Sequence, residues 1–364
     1  MTRAADPMPA GFLAAARAPL RIDLAGGFTD VPPFCERAGG FVVNLAISLE
    51  AAALVLELGR RERSRHPWPC AVSLALRGRR LLSGIERGRD RIDPADPLAP
   101  FRAALRDARA EGLALAVACE GPAASGLGSS GTMLVAALAA LDAARGTKRT
   151  PAELARRARE LEVEELGLLG GGQDPIAAAF GGLQAIEFGP GRGARGRNGR
   201  PRALQPTEAF RAWLTRALVL ADLRTPRASS VRIERVVDRI RRAESHAVAT
   251  LLVMRDHARS LADAIERSDR AAFGKSFAAH GRALARLEPT LLEGGVAEAL
   301  AAAEEAGALG AKPCGAGGGG CVVALAPPAR RGAVERALVR RGAKILQVQF
   351  SERGVSAWSH TTNP

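Results

Sequence analysis

Gly121-Pro-Ala-Ala-Ser-Gly-Leu-Gly-Ser-Ser-Gly-Thr132 is the stretch on which the reading of this chain turns. Upstream, Leu113 to Cys119 is a short, nearly continuous apolar run, expected to be a buried strand. Downstream, Met133 to Ala144 is apolar on every side, as a buried helix closed at Gly146 would be. A glycine- and serine-rich turn feeding a helix N-terminus offers unpaired N–H groups and a positive dipole end to an anion. Its glycines let the backbone approach phosphate oxygens, and Ser129 and Ser130 add hydroxyls for phosphate or a metal ion. The segment therefore reads as a nucleotide phosphate site.

Two other phosphate loops are excluded. Gly121 and Gly126 have the spacing that opens a P-loop, but Leu127 stands where that loop requires lysine. Gly126 to Gly131 satisfies G-x-G-x-x-G, yet a dinucleotide fold needs a second strand after the helix, ending in an acidic residue. Here Thr150-Pro-Ala-Glu153 follows, a capping box with proline at the first helical position, so another helix is expected, running to about Leu166.

The 364 residues allow two domains, and 47% hydrophobic residues describe an ordinary globular chain. No run approaches the ~18 apolar residues of a membrane-spanning helix, and the first residues lack the features of a signal peptide. Five scattered cysteines without a C-x-x-C pair favour free thiols in a reducing cytoplasm, and five isolated histidines give no metal-ligand spacing. The net charge of +14 invites a nucleic-acid reading. However, only four of the 52 basic residues are lysine (148, 275, 312, 344), leaving 48 arginines in an alanine- and glycine-rich chain, which looks like genomic composition bias. There is no tyrosine and no aromatic–basic interleaving to stack bases. A positive field does favour phosphorylated small molecules.

Leu20-Arg-Ile-Asp-Leu-Ala25 alternates as a half-buried strand, which puts Arg21 and Asp23 together on an open face. That pair could hold a phosphate and a polyol, or be a surface ion pair. A second strand is expected over Phe41 to Leu49. Gly170-Gly-Gly-Gln-Asp174-Pro175 places Asp174 as a helix N-cap, as a general base at a glycine-rich turn, or as both. Glu162, among Arg159, Glu164 and Glu165, reads locally as a solvated charge. Residues 189–202 carry five arginines and no acid and read as a mobile loop near a domain boundary, with an RNA-contacting arm as the alternative. Lys312-Pro-Cys-Gly-Ala-Gly-Gly-Gly-Gly-Cys321 leads into a strand at Val322 to Leu325. Its four consecutive glycines point to close backbone approach to a ligand or another loop. A helix at Val334 to Arg341 and a closing strand at Ile345 to Phe350 suggest a C-terminal α+β domain.

Taken together, these stretches resemble the GHMP kinases. Gly121–Thr132 resembles that family's central phosphate loop, with Gly131 in place of its usual alanine; Arg17–Asp30 resembles the first motif and Lys312–Cys321 the third. Within the superfamily, Ala18 to Asp30, Gly39-Gly40 with Asn44, and Gly171 to Asp174 with Ala177 to Gly182 are most similar to the D-glycero-D-manno-heptose 7-phosphate kinases. Pro175 and Ile176 depart from the usual Gln-Tyr, and Phe28 replaces a common glycine. The resemblance implies an α+β, two-domain fold: a ribosomal protein S5 domain 2-like part over 1–203 and a ferredoxin-like α/β sandwich over 204–364. It implies ATP and Mg2+, and a sugar or sugar-phosphate acceptor phosphorylated at its anomeric hydroxyl. Kinases for fucose, arabinose or a non-sugar alcohol, and a non-catalytic sugar sensor, are the alternatives. It implies a cytoplasmic monomer or homodimer with no nucleic-acid or membrane partner.

Carried onto this sequence, the resemblance makes Asp174 the base and Arg21 its catalytic partner. It gives the nucleotide Pro122, Ser125, Gly126, Leu127, Gly128, Ser129, Ser130, Gly131 and Thr132. The metal falls to Ser130 and Glu162, the latter because it lies twelve positions before Asp174 as the family's metal-binding glutamate does. The acceptor falls to Gly27, Thr29, Asp30, Gly172, Gly317 and Gly318.

Overall fold

The computed structural model describes residues 11–58, 70–76, 79–86, 92–191, 198–225, 229–315 and 320–360. Gly317, Gly318 and residues 192–197 of the arginine-rich 189–202 segment lie outside the described residues.

Twelve strands are described: β1 Phe12–Ala25, β2 Gly40–Glu57, β3 Cys70–Leu76, β4 Arg79–Glu86, β5 Leu113–Cys119, β6 Leu183–Phe188, β7 Arg200–Ala203, β8 Leu218–Asp222, β9 Gly310–Pro313, β10 Cys321–Leu325, β11 Lys344–Leu346 and β12 Ser356–Ser359. The α-helices are α1 Phe34–Ala38, α2 Ala99–Asp107, α3 Ser129–Ala144, α4 Pro151–Arg159, α5 Gln173–Phe180, α6 Glu208–Ala217, α7 Ser229–Arg241, α8 Ser245–Glu266, α9 Arg270–Leu287, α10 Val296–Glu305 and α11 Arg331–Arg340. One sheet runs β12-β1-β2-β5-β3-β4, with β6 on β2 and β7 on β6. The other is a four-stranded antiparallel sheet, β11-β8-β10-β9.

β2 organises the first sheet. Residues 40–45 pair with β6, whereas 51–57 pair with β5, so one long strand joins two strand groups. The all-apolar α3 lies against β1 and β2, buried from Gly131 through Asp142. A helix apolar all round needs cover on every side, and α2, α4, α5 and the sheet supply it. The capping box at Thr150 forms as expected, each partner bonding the other's backbone.

The structure departs from the sequence reading in four places. β1 is not half-buried: from Ala18 to Ala25 every residue is covered, Arg21 and Asp23 included, because α3 and the C-terminal helices close the face that alternation left open. The helix starting at Pro151 does not stay regular to Leu166; from Glu160 to Glu165 it widens into a π-turn. Lys312 sits within a strand, β9. The closing strand is only three residues long; beyond Leu346 the chain crosses to the first sheet, where β12 pairs antiparallel with β1. The principal hydrophobic cluster accordingly runs without a break from β1 and α3 into α6, α8, α9 and β10.

Candidate active site

The loop before α3 buries Ser125 and Leu127 and leaves Ala123 and Ala124 exposed. Leu127 is fully buried, Ser125 accepts the Leu127 N–H at 3.4 Å, and Thr132 donates to the Gly128 carbonyl at 2.9 Å. The Ser129 hydroxyl is buried on the side of Gly121 and Cys119, not toward an incoming anion. Gly128, the N-cap of α3, is left-handed at φ 78°, a conformation that makes glycine the natural choice. No side chain caps α3, so its first N–H groups and dipole end remain available. Ser130 is the exposed hydroxyl of the turn, and it donates to Glu162 Oε1 at 2.6 Å.

Arg21 connects this loop to Asp174. Its Nη1 donates to the Gly126 carbonyl at 2.5 Å, while Nε and Nη2 both reach Asp174 Oδ1, at 2.8 and 2.5 Å. Both bonds fall on one oxygen, and no side chain or backbone donor reaches Oδ2 among the described residues. Burial works against the Arg21 charge, but the Asp174 and Asp23 carboxylates outweigh it and raise its pKa. A side chain at Gly128 would come within 3.2 Å of Asp174 Cγ, so loop and carboxylate are in van der Waals contact.

Asp174 does not cap its helix. α5 begins at Gln173 with Gly172 as N-cap, and no side-chain cap bond forms there, because the Asp174 carboxylate is turned onto Arg21. The capping is done from outside. Asp30 accepts the Gln173 backbone N–H at 3.1 Å and its side-chain amide at 3.3 Å. Asp30 is 2% exposed, with Gly171 lying over its carboxylate, so it faces the helix instead of an open acceptor pocket. Burial first, and the Asp174 charge second, push its pKa up to about 7. Thr29 is likewise engaged, donating to the Gly26 carbonyl at 2.6 Å and accepting the Phe41 N–H at 3.1 Å. Gly27 lies against the Asp23 carboxylate near the Gln173 amide, and Gly172 is the N-cap of α5. Phe28 holds φ 70°, unfavourable for a bulky residue, while its ring is buried among Phe34, Val236 and Leu251.

Glu162 lies in the π-turn, half-buried, with Ser130 as its hydrogen-bond donor. Burial pushes its pKa up to about 7, Ser130 opposes the shift, and Asp174 adds to it. Among the described residues, no group of three or more His, Cys, Asp or Glu converges on one point. The Ser130–Glu162 oxygens thus form a sparse, all-oxygen donor pair, which suits a magnesium ion that keeps water and phosphate ligands.

The described ends of the third glycine motif, Gly315 and Gly320–Cys321, lie against the Gly121–Thr132 loop. Cys321 N–H donates to the Ser125 carbonyl at 3.0 Å, and a Cβ at Gly320 would stand 2.5 Å from the Ala124 carbonyl oxygen. Sequence reasoning missed two groups behind this site, Lys312 and His280, both fully buried. Lys312 donates to the Asp23 carbonyl at 2.7 Å, and His280 Nε2 accepts the Gly26 N–H at 2.8 Å. Neither has local chemistry that marks it. The available signal was the helical spacing of His280 with Phe273 and Phe277, which puts all three on a buried stripe.

The chain aligns over 348 residues, at 23% identity, with a D-glycero-alpha-D-manno-heptose 7-phosphate kinase of Campylobacter jejuni, covering 93% of this chain and 97% of that one. A 33-residue stretch is 64% identical to an L-fucokinase/L-fucose-1-P guanylyltransferase of Bacteroides fragilis, 9% of this chain and 4% of that protein. Among solved structures, a D-glycero-D-manno-heptose 1-phosphate kinase from Bacteroides thetaiotaomicron superposes with TM-score 0.73 at 24% identity, over 96% of this chain and all of that one. Galactokinase of Lactococcus lactis superposes with TM-score 0.71 at 19% identity, over 94% and 95% of the two chains. The model for the GHMP kinases N terminal domain matches residues 99–182, which hold the phosphate loop, Glu162 and Asp174, and that for GHMP kinases C terminal matches 261–344: the chain belongs to the GHMP kinases.

Proposed function

We propose that this kinase transfers the γ-phosphoryl group of ATP to a hydroxyl of a sugar or sugar phosphate, with the anomeric hydroxyl of a heptose 7-phosphate as the preferred acceptor. The observation that carries the reading is the Arg21–Asp174 pair seated against the start of α3, with no donor on Asp174 Oδ2 among the described residues. The full-length similarity to the Campylobacter heptose 7-phosphate kinase supports the choice of acceptor.

In this reading the uncapped α3 N-terminus and the loop that leads into it hold the nucleotide phosphates, in place of a P-loop lysine. Ser130 and Glu162 would hold magnesium, which would neutralise charge on the phosphates. Asp174 Oδ2 accepts the proton of the acceptor hydroxyl. The acceptor oxygen bonds to the γ-phosphorus while the bond to the β,γ-bridging oxygen breaks, and ADP leaves. Arg21 fixes the Asp174 rotamer through Oδ1 and places positive charge beside the transferring group. Such transfer is mostly positioning plus electrostatics, which a rigid pair of this kind supplies. The acceptor enters along the Gly27 and Gly172 backbone edge, while Asp30 and Thr29 hold that edge in place and do not themselves face the acceptor.

One observation favours a second acceptor: the 64% identity over 33 residues with the fucokinase is far denser than the full-length similarity. L-Fucose is therefore the competing substrate. Incubation with ATP, Mg2+ and separate acceptors, followed by mass spectrometry and phosphorus NMR, tests the proposal. A heptose 1,7-bisphosphate product supports it, L-fucose 1-phosphate moves the acceptor, and ligand-dependent thermal stabilisation without ADP release from any acceptor rejects catalysis.

A further inference from the structure

Arg21 has two carboxylates within its field, yet its bonds go to only one of them. Asp23 stands two residues along β1, and the β1–β2 register is continuous between Arg21 and Asp23, so both side chains lie on one face of the sheet. The Asp23 charge acts on Arg21 strongly enough to raise its pKa, second to Asp174 among the carboxylates. An unengaged Asp23 would compete for the guanidinium that now holds Asp174. Lys312 prevents this: its Nζ lies 3.4 Å from Asp23 Oδ2 and donates to the Asp23 carbonyl at 2.7 Å. Both side chains are almost wholly buried, with exposures of 0% and 3%, so neither charge has water as an alternative partner. Three residues on, His280 from α9 accepts the Gly26 N–H. Two buried side chains from the C-terminal half thus grip the end of the strand that carries Arg21.

We propose that Lys312 is a positioning residue for phosphoryl transfer: by occupying Asp23 it leaves Asp174 as the single carboxylate available to Arg21. This rests on the Arg21–Asp174 reading above. The titratable groups around the pair are Asp174, Asp30 and Glu162 on the phosphate side, and Asp23, Lys312 and His280 behind β1, where burial lowers the His280 pKa and favours its neutral form. Removing the ammonium leaves a buried carboxylate whose nearest remaining cation is Arg21. The guanidinium then swings from Asp174 toward Asp23, and the base loses its fixed rotamer.

The test compares Lys312→Met with Lys312→Met/Asp23→Asn in full-length protein. ADP release is followed with a mixture of heptose 7-phosphate, L-fucose and L-arabinose, well below each variant's Tm. The single variant should lose about tenfold to a hundredfold in kcat, the scale of an ångström's misplacement, with KM for ATP changed by less than about twofold. The double variant should regain kcat to within about threefold of wild type, since no competing carboxylate remains. A merely structural ion pair would lower Tm in the single variant without this kcat-only loss. A single variant with wild-type kcat, or a double variant as slow as the single, overturns the inference. Should the single variant fail to fold, the double variant decides alone: near-wild-type kcat supports the inference and a tenfold loss rejects it. Asp174→Asn is run in parallel. Full activity there would sink the underlying reading, whereas loss there beside an active Lys312→Met would sink only the role of Lys312.

Discussion

The two carboxylates nearest the phosphate loop have opposite surroundings. Asp174 sits in the first turn of a regular α-helix and gives one oxygen to two arginine bonds. Glu162 sits in a π-turn, faces the neutral Ser130 hydroxyl, and has its pKa pushed up to about 7 by burial. A guanidinium partner fixes a carboxylate's rotamer, while the neutral Ser130 hydroxyl leaves the Glu162 carboxyl without a cation. The first environment suits a base whose other oxygen must stay free. The second suits a metal ligand that is costly to keep ionised until the metal arrives.

The comparison is broken most severely at Asp174. Asp174→Asn should lower kcat by at least about a hundredfold, the usual scale for a general base, while ATP still protects against thermal unfolding. Near-wild-type kcat would remove Asp174 from the chemistry.

Glu162→Gln comes next, and should weaken the apparent magnesium affinity by about tenfold or more. In the wild-type enzyme a carboxyl titrating at about 7 must lose its proton before binding a cation. Apparent magnesium affinity should therefore rise from pH 6 to pH 8, and the variant should lose that dependence. A magnesium titration identical in both proteins across this range would count against the assignment.

The same group also predicts a stability trend. Its folded pKa lies above the ordinary carboxylate value, so the folded protein binds the proton more tightly than the unfolded chain. Its contribution is most favourable below the unfolded value of 4.5, shrinks as pH climbs toward about 7, and stays at its minimum above that. Without magnesium, the Tm of Glu162→Gln relative to wild type should rise between pH 5 and pH 8. A constant difference would mean that Glu162 is not desolvated in solution.

The smallest effect concerns Gly131 and Pro175, two departures from the family pattern that touch in the structure. A Cβ at Gly131 would lie 3.1 Å from Asp174 Cβ and 3.2 Å from Pro175 Cδ. The missing methyl and the added ring therefore compensate each other beside the base. Gly131→Ala should cost about twofold to fivefold in kcat through a slight displacement of Asp174, and Pro175→Gln in the same protein should restore part of it. An unaffected Gly131→Ala would show that the turn yields without cost.

The phosphate loop was legible because its signal is local: a strand, a glycine-rich turn and an apolar helix in direct succession, each required by the one before. Thr150 and Glu153 were legible for the same reason, since a capping box closes within one turn. Asp30 and Thr29 show the limit. They were singled out by the resemblance of Arg17–Asp30 to the family's first motif, but their partners, Gln173 and Phe41, lie in other elements. Asp174 was found for its place before Pro175 at a glycine-rich turn, while its bond to Arg21 spans 153 residues of chain. The π-turn under Glu162 also left no mark in the sequence.

The strand, glycine-rich turn and apolar helix around Gly121–Thr132 came from the residues themselves, because those signals act over one helical turn or one strand, while the α+β kinase fold came from the resemblance of three motifs to the GHMP kinases. Only the tertiary structure decided which oxygen of Asp174 Arg21 engages, that Asp30 serves a helix instead of an open pocket, and that a lysine from the far half holds Asp23. Those outcomes depend on which buried charges end up as neighbours, and a buried charge is settled by whatever partner folding brings within reach.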